Sequence, residues 1–203
     1  MKTLPTLLAI VGLCAFSSTM QAAEPPVNTI VNLNAAHNGE ANANQRYSRF
    51  AKKAEAEGFA QVAKLFRAAA ASEAIHRELH KAAILTLGGK VDEVVLDEVN
   101  PGSTAENLAT AVKGEAYERD SMYPAFLKQA KADHAKAAVR SFTYALNAEA
   151  AHLKLYTGAL ANLGHNPTTD YFVNSICGFT VTALPAKECP SCHNPRDTFI
   201  QIN

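Results

Sequence analysis

The chain has 203 residues, enough for one ordinary domain and an appendage, with Lys+Arg and Asp+Glu balanced at 19 each. That balance provides no basic field for nucleic acid and no acidic one for a cationic partner. Apolar residues make up 48%, much of it alanine, and tryptophan is absent, a composition that favours long, closely packed helices.

The N-terminus reads as a signal peptide over residues 1–23. Lys2 supplies the charge, and Leu7 to Phe16 form an apolar run too short to span a bilayer. Small residues follow to Ala22 and Ala23, before Glu24-Pro25-Pro26. Cys14 is preceded by Leu13, too bulky for a good lipoprotein cleavage site. The expected address is a bacterial periplasm, with no membrane contact after cleavage. Three cysteines then remain, Cys177, Cys189 and Cys192, all near the C-terminus.

Residues 24–164 read as four helices. Asn28 or Thr29 is placed to cap the first, whose period runs through Leu33, Ala36, Ala43, Tyr47, Phe50 and Ala54 to a stop at Gly58. The second runs from about Phe59 to Gly88-Gly89. Residues 90–102 form a linker longer than an antiparallel turn needs, and are expected to cross the length of the bundle. Ser103 and Glu106 spell a capping box for the third helix, which Pro124 should kink. Asp133 is placed to cap the fourth, which stops at Gly164. Long helices with two short turns and one crossover describe an all-α, ferritin-like four-helix bundle.

The chemistry is carried by Glu40, Glu73-x-x-His76, Glu115-x-x-Glu118 and Glu149-x-x-His152. A glutamate aimed into an apolar helix seam is costly unless something neutralises it. Glu40 precedes the Gly58 turn by about as many residues as Glu73 and His76 follow it, and Glu115 and Glu149 bracket the turn near Ala132 in the same way. Equal distance from an antiparallel turn means equal height, so all seven groups fall at mid-bundle. One Glu on each of two helices, with Glu-x-x-His on each of the others, is a pattern that binds two iron or manganese ions. Carboxylate oxygens suit those hard ions, and imidazole adds a borderline ligand.

These motifs, with Asn44-Gln45-Arg46-Tyr47, Glu106-Asn107-Leu108 and Tyr123-Pro124, closely resemble the rubrerythrins. The resemblance covers nearly all of the mature chain. It implies a non-haem di-iron peroxidase of oxidative-stress defence that reduces hydrogen peroxide to water. Glu73 and Glu149 would bridge the irons, Glu115 and His152 would complete one, and Glu40 the other, with Glu118 or His76 exchanging. It also implies a homodimer and an external electron donor, here a periplasmic one. Tyr47 and Tyr123 are candidate hydrogen-bond donors to the ligands. The alternative function is ferroxidase-type iron handling without peroxidase turnover.

Residues 165–203 resemble a rubredoxin-like tail lacking one cysteine. Cys189-Pro190-Ser191-Cys192 is an intact knuckle, but the partner of Cys177 is replaced by Asn174. Three readings fit. Cys177, Cys189 and Cys192 with His193 or Asn174 hold iron or zinc; the tail is metal-free, with or without a disulfide; or Cys189-x-x-Cys192-His193 attaches a c-type haem.

Overall fold

The computed structural model describes residues 25–203; the expected signal peptide over residues 1–23, with Cys14, lies outside the described residues. Helices α1 (Val27–Ala56) and α2 (Ala60–Thr86) form the first antiparallel hairpin. Helix α3 (Thr104–Tyr117), a π-helical turn (Glu118–Met122) and α4 (Tyr123–Ala132) run on as one rod, and α5 (Lys136–Ala161) pairs with it. Four rods with one crossover are therefore present, as expected. No described helix is long and apolar enough to cross a membrane.

The helix ends show where local signals held. Gly58 ends α1 with φ +84°, a left-handed conformation that glycine adopts without penalty. The capping box is formed: Ser103 accepts from the Glu106 N–H, and the Glu106 carboxylate accepts from the Ser103 N–H at 2.8 Å. Two expected caps are absent. Helix α1 begins at Val27 without a side-chain cap, and Thr29 instead donates to Asp133 at 2.7 Å. Asp133 thereby ties the end of α4 to α1, and α5 starts from Ala135 with no side-chain cap. Both candidates were drawn into a tertiary hydrogen bond that sequence spacing does not register.

Pro124 produces a different device from the expected simple kink. The widened turn at Glu118–Met122 directly precedes it, so the proline sits in the first turn of α4, where no N–H is needed.

Residues 90–102 lie extended along α1. Asn34, Asn38 and Asn42, one helical turn apart, hold them by their backbone. Asn34 accepts from the Asp92 N–H and donates to the Lys90 carbonyl; Asn38 accepts from the Val95 N–H; Asn42 accepts from the Asp97 N–H and donates to the Val95 carbonyl. Arg49 continues the row to the Val99 carbonyl.

The core has two apolar bodies. One packs Tyr47, Phe50, Leu65, Phe66, Leu108 and Tyr156; the other packs Leu33, Ile84, Tyr123, Leu127 and Phe142. A polar layer lies between them. The tail is a three-stranded antiparallel sheet of order β2-β1-β3, from β1 (Tyr171–Asn174), β2 (Thr180–Val181) and β3 (Phe199–Ile202). It rests on α2 and α5.

Candidate metal centre

The polar layer brings together six of the seven groups expected there. Glu40, Glu73, His76 and Glu149 each offer a ligand atom within 4.8 Å of one another, and so do Glu73, Glu115, Glu149 and His152. Glu73 and Glu149 belong to both sets. His76 Nδ1 lies 2.9 Å from Glu73 Oε2 and 3.2 Å from Glu149 Oε1; His152 Nδ1 lies 2.9 Å from Glu149 Oε2 and 3.3 Å from Glu73 Oε1. The two halves thus repeat each other, one Glu-x-x-His helix answering the other. The internal repeat in the sequence has this symmetry as its physical meaning.

Every one of these side chains is buried. Four carboxylates facing only two imidazoles leave an excess of negative charge in a dry layer, which is unfavourable without cations. Burial, then the charges of Glu73 and Glu149, pushes the Glu40 carboxyl well above its ordinary range; burial and Glu149 do the same to Glu115. Burial alone would lower His76 and His152, but Glu149 beside the first and Glu73 beside the second carry both well above the usual imidazole value. Glu40 Oε2, Glu115 Oε2 and Glu149 Oε1 are buried with no hydrogen-bond partner. Unpartnered buried oxygens are rare in folded proteins and mark positions that await a ligand. The donor set fits two hard or borderline divalent ions sharing two carboxylates.

The outer nitrogen of each imidazole is occupied by the tail. His76 Nε2–H donates to the Cys177 carbonyl at 3.2 Å, and His152 Nε2–H to Thr180 Oγ1 at 3.0 Å. These bonds select the tautomer that leaves Nδ1 free to face the metals. Ser72 donates to the Gly178 carbonyl at 2.6 Å and closes the same seam. Gly178 has φ +78°, and a Cβ there would stand 2.4 Å from His76 Nε2.

Tyr47 donates to Glu115 Oε1 at 2.6 Å, and Tyr123 donates to Glu40 Oε1. Sequence reasoning missed what backs Tyr123. His80 Nε2 lies 3.1 Å from the Tyr123 oxygen, and Ser141 Oγ lies 2.8 Å from His80 Nδ1. Because Tyr123 gives its proton to Glu40, its oxygen accepts from His80, and His80 accepts from Ser141. Burial, then His76 nearby, lowers His80 to about 3, so it is neutral. Its signal was its position one helical turn after His76 on the same face.

Glu118 is the seventh expected group and lies outside both ligand sets. It opens the π-turn, half-buried, and burial with the charges of Glu149 and Glu73 raises its carboxyl well above the ordinary range. Its placement follows from the wide turn, which takes it off the line that Glu115 keeps.

The tail corrects two expectations. Cys177, Cys189 and Cys192 do cluster, with Cys177 and Cys189 sulfurs 3.6 Å apart and all three thiols free. His193 does not join them: it is exposed, with φ +58°, and its Nδ1 pairs with Glu188 at 3.0 Å. The haem reading also fails on geometry. Attachment needs both thiols of Cys-x-x-Cys-His accessible and the histidine turned to the same face, whereas Cys189 is fully buried against Cys177.

The rubrerythrin family model matches residues 32–160, which include all of the bundle ligands. The chain belongs to the rubrerythrin family. Nigerythrin of Nitratidesulfovibrio vulgaris is 34% identical over 172 residues, covering 85% of each chain, and rubrerythrin-2 of Clostridium acetobutylicum is 33% identical, covering 82% of this chain and 92% of its own. Nigerythrin solved in a fully reduced, all-ferrous state superposes with a TM-score of 0.76 at 32% identity, over 98% of this chain and 97% of that one. A bacterioferritin of Rhodobacter capsulatus, at 24% identity and a TM-score of 0.62, shares the fold alone. As a rubrerythrin, the chain departs from the family's tail at Asn174.

Proposed function

We propose that the chain reduces hydrogen peroxide to water at a pair of iron ions held by Glu40, Glu73, His76, Glu115, Glu149 and His152. The observation that carries this is the pair of overlapping ligand sets sharing Glu73 and Glu149. The rubrerythrin family and the all-ferrous state of the similar nigerythrin support iron over manganese. A reduced metal pair supplies the two electrons needed to cleave the O–O bond, and two protons complete two waters.

The chain's own groups set the surroundings. Tyr47 and Tyr123 hold protons on Glu115 and Glu40 and fix which carboxylate oxygen remains free. The tail carbonyl and hydroxyl keep both imidazoles turned inward. The two aromatic bodies above and below exclude bulk water. Glu118, outside both ligand sets but within the field of Glu149 and Glu73, would be the carboxylate to exchange with His76 when metal is bound. The signal-like segment over residues 1–23 supports a periplasmic address, where a homodimer would draw on an external electron donor.

Anaerobically reduced protein mixed with peroxide should consume about one peroxide per metal pair. Glu115→Ala should lose both the pair and the reaction. Unchanged turnover in that variant would reject the assignment. Oxygen-driven uptake of Fe(II) far beyond two ions per chain, with slow peroxide reaction, would transfer the chain to iron handling.

A further inference from the structure

The tail carries two knuckles, and comparing them within the molecule decides what it binds. In the second, the backbone N–H groups of Ser191 and Cys192, two and three residues on, favour a thiolate at Cys189. In the first, Asn174 Oδ1 accepts from the N–H groups of Ile176 and Cys177, at 3.0 and 3.1 Å, again two and three residues on. Asn174 Nδ2 is also committed, donating to Thr198 Oγ1 at 2.6 Å. The amide therefore plays the turn-forming part of the missing thiolate.

It cannot play the ligating part equally well. An amide oxygen is neutral and has two lone pairs, and both here face N–H donors. A thiolate in the same seat carries full charge and ligates while accepting such bonds. Asn174 is fully buried, and its Oδ1 lies 3.7 Å from Cys192 Sγ, so it fills the fourth corner and keeps water out. His193 faces away, paired with Glu188. The four-thiolate iron of a rubredoxin-like tail does not fit these residues.

We infer that Cys177, Cys189 and Cys192 form a three-thiolate site for a thiophilic d¹⁰ cation, Zn²⁺ or Cu⁺, that staples the tail rather than relaying electrons. Soft sulfur ligands select these ions; three thiolates satisfy Cu⁺ outright, whereas Zn²⁺ would have to draw a fourth donor, Asn174 Oδ1, away from its N–H partners. The site adjoins the bundle: residue 177 offers its sulfur to the ion and its carbonyl to His76. Holding the knuckle closed holds Gly178 and Thr180 over the two imidazoles.

The test uses the full-length reduced protein, titrated anaerobically with Zn²⁺ and separately with Cu⁺ against a chromophoric competitor, with native mass spectrometry for stoichiometry. One ion per chain should bind beyond those of the bundle. Cys189→Ser should weaken it at least tenfold, and His193→Ala should leave it within about threefold. The two titrations tell which of the two ions binds more tightly. Iron reconstitution of the native protein should yield no intense ferric–thiolate charge-transfer absorption, whereas Asn174→Cys should acquire it, with helical circular dichroism checking that this variant folds. The inference is overturned if the native tail takes up iron with that absorption, if His193→Ala loses the ion, or if neither Zn²⁺ nor Cu⁺ binds at the thiols. A folded Asn174→Cys that stays colourless with iron also overturns it, because residue 174 would then not be the missing corner.

Discussion

Tyr47 is the buried hydrogen-bond donor to Glu115 Oε1, which His152 Nδ1 approaches only to 3.8 Å, while Oε2 has no hydrogen-bond partner. Tyr47→Phe removes one hydrogen and leaves a second buried oxygen unmatched. Metal-free protein carrying it should be less stable by about 1–3 kcal/mol in urea unfolding, the usual cost of an orphaned buried acceptor. Gly178 tests the opposite sense, adding an atom where there is no room. In Gly178→Ala the left-handed backbone alone costs about 1–2 kcal/mol, a fall of roughly 2–8 °C in Tm for a chain of this size. The new methyl would also displace His76, so iron content measured by elemental analysis should fall as well. Tyr47 was legible beforehand, because its spacing from Glu40 fixes its face, whereas Tyr123 was named only through the family resemblance, its facing being set by the wide turn before it. The tail's part was not legible: Cys177 meets His76 and Gly178 meets Ser72 across about a hundred residues of chain, Thr180 meets His152 from another element, and no local pattern records that.

The π-turn sets the phase of its rod. Glu115 before it and Tyr123 after it both face the site because the turn contains one residue more than an α-helix would. Deleting the exposed Asp120 should remove the bulge and leave Glu115 and Tyr123 seven residues apart, about two turns of ordinary helix and still on one face. The variant should keep both its helical circular dichroism and its bundle metals. Loss of a metal would show that the wide turn does more than preserve the phase of its two flanks. Pro124 announced an interruption, but its composition does not distinguish a kink from a widened turn; that depends on which carbonyl finds a new donor. The Asn34, Asn38 and Asn42 row was hidden for a related reason. Polar residues one turn apart read as a solvated face, and only the extended chain lying on them shows their use.

For the molecule as a whole, acid and base act through different groups. In metal-free protein, Glu40, Glu115, His76 and His152 have folded values raised above their unfolded ones. Each contributes stability that is present below the unfolded value and is lost as pH rises. His80 is lowered to about 3, so its contribution is lost as pH falls from the ordinary imidazole value towards 3. Glu57, which accepts from both the N–H and the hydroxyl of Thr104, is lowered to about 2, and its contribution fades below the normal carboxylate range. Tm of the metal-free protein should therefore peak in mildly acidic buffer and decline towards alkaline pH. Iron-loaded protein should lose that alkaline decline, because metal replaces the protons. A metal-free curve rising through neutral pH would contradict the charge balance drawn for the site. The four rods and the common height of their ligands were readable in the sequence because antiparallel turns convert residue count into elevation. The docking of the tail was not, because it joins surfaces whose order in the chain says nothing of their adjacency. The extended strap from residue 90 to 102 has one more consequence. Glu40, Glu73 and His76 lie before it and Glu115, Glu149 and His152 after it, so the dinuclear centre is a seam between two half-proteins of like design. Neither hairpin alone encloses even one complete ligand set, and the strap, held by its main chain, serves as a tether that makes a two-piece assembly independent of concentration.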